Sequence, residues 1–173
     1  MRKINKTGLE LIKKYEGFSN HIYLCPAGFP TIGYGHLCKE TDFYIKEKNL
    51  AISEVKFILQ KHNFETEKLK DTTKITLFEA ENFLAQDIEC VERSVIKLIS
   101  CPLTDNQFSA LVSFTFNLGV GALQRSTLRS KLNRGEYELA ASEFARWIYA
   151  DGKKLKGLVN RRLDEKTLFS LKY

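Results

Sequence analysis

The sequence predicts an α+β protein that is mostly helical, with a small β-containing N-terminal lobe joined by a long helix to an all-helical C-terminal lobe. Three observations predict it. Residues 18–36 combine strand-forming side chains with turn-forming glycine and proline. Capping boxes at Thr76-Leu77-Phe78-Glu79 and Thr104-Asp105-Asn106-Gln107 each open an apolar, helix-spaced segment. No linker, internal repeat or low-complexity tract divides the chain, so the two lobes, approximately residues 1–75 and 76–173, form a single domain.

Leu9, Leu11, Ile12 and Tyr15 predict a short first helix, starting near Asn5 or Thr7 and stopped by Gly17, which leaves Glu16 on its last turn. Ile22, Tyr23, Thr31, Ile32 and Tyr34 then favour strands, with Pro26-Ala27-Gly28 and the Gly33/Gly35 pair as turns, so a small antiparallel sheet is expected. A helix is expected from Ile52 to Leu59. The first capping box opens a long helix toward Ile99, and the second, behind Pro102, opens an apolar helix through Ala110, Leu111, Phe114 and Leu118. Further helices are predicted at Thr127 to Asn133, closed by Gly135, at Tyr137 to Tyr149, and at Val159 to Leu171.

Bulk properties bound the function. A chain of 173 residues, 43% hydrophobic and 28% charged, can bury a full core without disulfides or metal. Its 27 Lys+Arg against 21 Asp+Glu leave a formal charge of +6, which suits polyanionic partners such as nucleic acid, anionic membrane or wall polymer. The four cysteines, Cys25, Cys38, Cys90 and Cys101, form no C-x-x-C pair, and His21, His36 and His62 have no H-x-x-x-H spacing, so no metal site is expected. Met1 to Thr7 is polar, no signal peptide or transmembrane segment is read, and reduced thiols in a cytosolic chain are expected. Cys38, Cys90 and Cys101 are read as small buried hydrophobes.

Among titratable residues, Glu16 has the most suggestive placement. A glutamate at a helix C-terminus lies by the negative end of the macrodipole, and partial burial beside Tyr15 acts in the same direction, so a raised pKa is expected there. Glycoside hydrolysis needs such a proton donor together with a second group that stabilises an oxocarbenium ion or activates water.

Glu16-Gly17-Phe18 through Thr31-Ile32-Gly33-Tyr34-Gly35-His36 resembles the active-site signature of the phage-type lysozymes, glycoside hydrolase family 24. In that family the glutamate is followed by Asp or Cys after eight residues and by Thr after five more, a spacing met by Glu16, Cys25 and Thr31. Downstream, Leu103-Thr104-Asp105-Asn106-Gln107 leading to Phe116-Asn117-Leu118-Gly119 is similar to the family's cleft-lining helix. Arg146-Trp147 and Leu155-Lys156-Gly157-Leu158-Val159-Asn160-Arg161-Arg162-Leu163-Asp164-Glu165 are similar to its C-terminal end. The resemblance covers nearly the whole chain and is weakest from Lys39 to Lys74.

The resemblance implies a lysozyme-like fold with a cleft between the two lobes, and an endolysin-type muramidase that cleaves the β-1,4 bond between N-acetylmuramic acid and N-acetylglucosamine in peptidoglycan and lyses the host. Glu16 would be the general acid, and Thr31 would help hold the attacking water. Cys25 stands where the family most often has Asp, and whether it acts as base, nucleophile or electrostatic stabiliser stays open, as does inversion or retention at the anomeric carbon. Cys25 also raises a hypothesis of redox sensitivity, with Cys38 the nearest partner in sequence. Leu37, Phe116 and Thr127 match substrate-binding positions. His36 is expected to be structural, Trp147 and Tyr149 to be core, and Arg161 and Arg162 to lie on a helix surface, with either able to approach Glu16.

No cofactor is implied. The expected partner is the peptidoglycan glycan strand, with no nucleic acid and no stable membrane insertion. The protein is expected to be a monomer held in the host cytoplasm until a holin opens the way to the wall. A lytic transglycosylase would need only the glutamate, a silent wall-binding module would dispense with it, and a nucleic-acid-binding domain would concentrate its basic residues rather than spread them along the chain.

Overall fold

The structure, a computed structural model, describes residues 1–25, 29–38 and 75–171. The helix expected at residues 52–59 and the turn at 26–28 lie outside them. Among the described residues there are seven α-helices, one 3₁₀ turn and five short strands, the mostly helical α+β composition predicted. The chain divides into two compact units, Met1–Tyr15 with Ile88–Tyr173, and Glu16–Asp87. No helix of the described residues is long and apolar enough to cross a membrane.

Unit Glu16–Asp87 is organised by an antiparallel sheet of β1 (Ser19–Leu24), β2 (Pro30–Gly33) and β3 (His36–Leu37), in that order. Tyr23 pairs with Thr31, Thr31 with Leu37, and Ile32 with His36. Helix α2 (Leu77–Leu98) begins at the predicted capping box: Thr76 N donates to Glu79 Oε2 at 2.7 Å and Glu79 N to Thr76 Oγ1 at 3.2 Å. Its first turns cover the sheet closely, because a Cβ on Gly33 would meet Ala80 Cβ at 3.2 Å. Ile32, Tyr34, Cys38, Ile75, Ala80 and Leu84 form the core.

The larger unit begins with α1 (Lys6–Glu16), of which all but Glu16 belongs to it. Asn5 caps this helix, its Oδ1 accepting from Gly8 N at 2.9 Å. Gly8 is required by close approach, since a Cβ there would stand 2.6 Å from Ser109 Cβ. Helix α3 (Asp105–Leu118) starts at the second predicted capping box, where both reciprocal bonds form. It is buried at eight consecutive positions, Phe108 to Thr115, as expected of a helix surrounded by others.

After α3 come α4 (Val120–Arg125), α5 (Thr127–Asn133), α6 (Tyr137–Glu143), a 3₁₀ turn (Phe144–Arg146) and α7 (Lys156–Ser170), with α7 and α4 packed against α3. Phe114 meets Phe144 and Trp147 edge-on at 5.3 and 5.5 Å, and Phe144 meets Phe169 at 5.6 Å.

Two expectations fail in the C-terminal region. The helix from Tyr137 does not reach Tyr149: it stops at Glu143, and Tyr149–Ala150 (β4) pairs with Lys153–Lys154 (β5) in a hairpin. Asp151 and Gly152 take φ of 49° and 74°, the left-handed pair that a tight two-residue hairpin demands. Tyr149 is consequently exposed rather than core, whereas Trp147 packs on Phe114.

Arg161 and Arg162, expected on a helix surface, are instead buried with Glu165. Arg161 Nε and Arg162 Nε approach its two oxygens at 3.2 and 2.8 Å, and Ser113 Oγ donates to Oε1 at 2.8 Å. Arg162 also lies over Phe114, 5.1 Å from the ring centre, and donates to Asn117 Oδ1 at 2.9 Å. Burial is possible because one carboxylate, a turn further on, answers both guanidinium groups.

Candidate active site

Glu16 ends α1, half-buried, and Gly17 behind it takes φ of +70°, the left-handed residue that stops the helix. The chain then enters β1. The Glu16 carboxylate faces the turn after β2: a Cβ built on Gly35, whose φ is +84°, would stand 3.4 Å from Glu16 Oε2. Glycine there keeps backbone, rather than a side chain, against the carboxylate.

Tyr23 gathers the candidate residues. Burial pushes its hydroxyl above the ordinary tyrosine range, and the charges of Glu16, Cys25 and Cys38 push in the same direction, so those three groups lie within electrostatic reach of one phenol. Tyr23 is opposite Thr31 in the sheet, and Thr31 is opposite Leu37, so the three side chains form a row on one face. Thr31 is buried, with Oγ1 donating to Phe29 O at 3.0 Å. Cys25 follows β1, half-buried, and its backbone N–H donates to the same carbonyl at 3.0 Å. Phe29 O therefore joins the Cys25 backbone to the Thr31 side chain across the loop.

His36 is buried beneath this row. Its Nδ1 meets Asp87 Oδ2 at 2.7 Å and its ring stacks on Phe83 at 4.5 Å, with planes 6° apart. The structural part expected of it is therefore the one it plays. Cys38 is buried as expected, but Cys90 is exposed and Cys101 half-buried, because both lie at positions on or just past helical turns that do not face the core.

A model of the phage lysozyme family matches residues 13–165. The chain belongs to the phage lysozyme family. It is 39% identical over 170 residues to an endolysin of Acyrthosiphon pisum secondary endosymbiont phage 1, covering 96% of this chain and 97% of that one. It is 34% identical to an endolysin of Bacillus phage PZA over 97% of this chain but 55% of the relative, so it spans about half that protein's length. Among solved structures, the muramidase domain of SpmX from Asticaccaulis excentricus superposes with a TM-score of 0.75 at 30% identity, covering 99% of each chain. The fold is lysozyme-like, as the resemblance implied.

In this phage lysozyme relative, Glu16, Cys25, Thr31 and Leu37 all belong to unit Glu16–Asp87. Leu37 is exposed. Phe116, half-buried on α3, and Thr127, exposed at the start of α5, belong to the larger unit. Two residues that neighbour the candidate site escaped the sequence reading. Tyr23 registers there only as a strand former, although it lies two residues before Cys25. Asp87 carries no local signal, since its partner is 51 residues away.

Proposed function

We propose that this chain is an N-acetylmuramidase of the endolysin type, a single catalytic domain over residues 1–173 that hydrolyses the β-1,4 bond between N-acetylmuramic acid and N-acetylglucosamine in bacterial peptidoglycan. The observation that carries the reading is the grouping of Glu16 and Cys25 around Tyr23, with Thr31 directly opposite Tyr23 in the sheet.

Glu16 gives its proton to the glycosidic oxygen as the bond to the anomeric carbon breaks. Thr31 spends its hydroxyl proton on Phe29 O, so its lone pairs are left to accept from a water and aim it at that carbon. The water adds its oxygen to the anomeric carbon and loses a proton. Cys25 supplies the second group, and three roles fit its position: base for that proton, nucleophile in a covalent intermediate, or stabiliser of the cationic transition state. Leu37, Phe116 and Thr127 bind the glycan, and no cofactor takes part. The protein works as a monomer, is held in the host cytoplasm, and reaches the wall after holin action; the +6 charge favours retention on anionic wall.

Digestion of purified peptidoglycan by wild type, Glu16→Gln and Cys25→Ser proteins, read by mass spectrometry, tests the reading. Reducing muramic ends that disappear with Glu16→Gln are the expected result. Anhydro ends would mean a lytic transglycosylase, and wild-type protein that binds wall without cleaving it would mean a binding module. Anomeric NMR of early product, compared between wild type and Cys25→Asp, separates the base role from the nucleophile role.

A further inference from the structure

The two residues that precede Glu16 share one anchor. Tyr15 Oη donates to Asp164 Oδ2 at 2.6 Å, and Lys14 Nζ reaches the same oxygen at 2.7 Å. Lys14 also lies over the Tyr15 ring at 5.1 Å from its centre, and Arg161 lies over it at 5.6 Å. The last turn of α1 is thus tied to α7 by a carboxylate that accepts from two consecutive side chains, with a cation above the aromatic between them.

We infer that Asp164 is a positioning residue for the proposed hydrolysis: through Tyr15 and Lys14 it fixes the last turn of α1 and so the backbone from which Glu16 reaches the glycosidic oxygen. This rests on the reading of Glu16 as the general acid. Gly17 ends the helix immediately after Glu16, so the helical backbone that carries Glu16 is continuous with the turn that holds Lys14 and Tyr15. Reacting groups must be held within a fraction of an ångström, and a displacement of about 1 Å can cost about a hundredfold in rate. Asp164 is suited to the task because its two partners hold its carboxyl below the usual aspartate range, Lys14 most strongly and Tyr15 next, so it remains an acceptor through neutral and mildly acid pH.

The test compares kcat, KM and Tm on soluble peptidoglycan fragments for Tyr15→Phe, Asp164→Ala and the double variant. Glu16→Gln controls for the site, and Lys131→Met controls for stability. Lys131 pairs with Glu143 at 2.6 Å, and neither belongs to α1 or α7, so its loss lowers stability without touching the anchor. The expected result is a fall in kcat of about tenfold for Asp164→Ala and about threefold or more for Tyr15→Phe, with KM changed less than about twofold. The double variant is expected to be no slower than Asp164→Ala, because both lose one contact, and Asp164→Glu to recover part of the rate. Lys131→Met should keep wild-type kcat at a comparable drop in Tm.

Inactive Glu16→Gln with wild-type kcat in Tyr15→Phe and Asp164→Ala would overturn this inference alone. Losses that track Tm, with Lys131→Met equally slowed, would overturn it too. Activity retained in Glu16→Gln would remove the reading of Glu16, and the positioning role with it.

Discussion

His36 Nδ1 and Asp87 Oδ2 stand 2.7 Å apart and tie the last strand of the small sheet to the helix that covers it. The imidazole is buried, so it cannot turn to water if the carboxylate is removed. Asp87→Ala is expected to cost about 1–3 kcal/mol, the ordinary penalty for orphaning a buried polar group. Urea unfolding followed by tryptophan fluorescence and far-UV circular dichroism measures it. A change below about 0.5 kcal/mol would mean that the ring's other contacts, stacking on Phe83 among them, hold it without Asp87.

Thr31→Val keeps the shape of the side chain while removing its hydroxyl. The bond lost, to Phe29 O, is worth about 1 kcal/mol, so the fold should survive. Turnover should nevertheless fall at least about tenfold, because no acceptor remains to orient the water. Turnover unchanged in a folded Thr31→Val protein would take Thr31 out of the mechanism.

Gly35→Ala places a methyl group at φ +84°, in contact with Glu16 Oε2. Left-handed backbone costs a residue with a Cβ about 1–2 kcal/mol, and the carboxylate loses the space against the turn. Lower Tm and lower kcat together are expected. Loss of Tm with full kcat would show that Glu16 does not depend on this contact.

Tyr23 offers a titration that reports the site directly. Burial raises its pKa first, and the Glu16 charge adds to it, so Glu16→Gln should lower the Tyr23 pKa. Carbon-13 NMR of ring-labelled tyrosine in wild type and variant reads the shift. An unmoved Tyr23 resonance would place the charge of Glu16 out of its reach.

Acid stability follows from carboxylates held low in the folded state. Lys131, and then Arg146, keep Glu143 below its ordinary 4.5, and Lys14, then Tyr15, keep Asp164 below its ordinary 3.8. Because folded pKa values are depressed, their stabilisation is complete above the ordinary values and is lost as pH falls through the folded ones. Thermal melts should therefore drop steeply below about pH 4.5, and Lys131→Met should flatten the upper part of that drop. A parallel curve for the variant would mean that Glu143 titrates alike in both states.

Local chemistry accounts for what could be read from residues alone. The capping boxes at Thr76 and Thr104 need only three-residue spacing, and both form as predicted. The triad of Glu16, Cys25 and Thr31 is a pattern within sixteen residues, and the sheet brings its members around Tyr23. The hairpin at Asp151-Gly152 carried a legible turn signal that the periodicity of Tyr137 to Tyr149 obscured. Other features depend on distant partners. The burial of Arg161 and Arg162 follows from Ser113 and Glu165 together, and a periodicity reading counts charged residues as outward-facing. The attachment of α1 to α7 spans 150 residues and leaves no mark in the local pattern.

That attachment has a consequence for biosynthesis. Helix α1 leaves the ribosome before α7 does, and the carboxylate that secures its final turn is made 150 residues later. Domains fold as translation proceeds, but a contact this distant cannot close until its second half emerges. A nascent chain interrupted before α7 would carry every member of the signature and still lack the anchor beneath it, so on this inference full turnover would wait for α7 to emerge, 150 residues after the turn it secures.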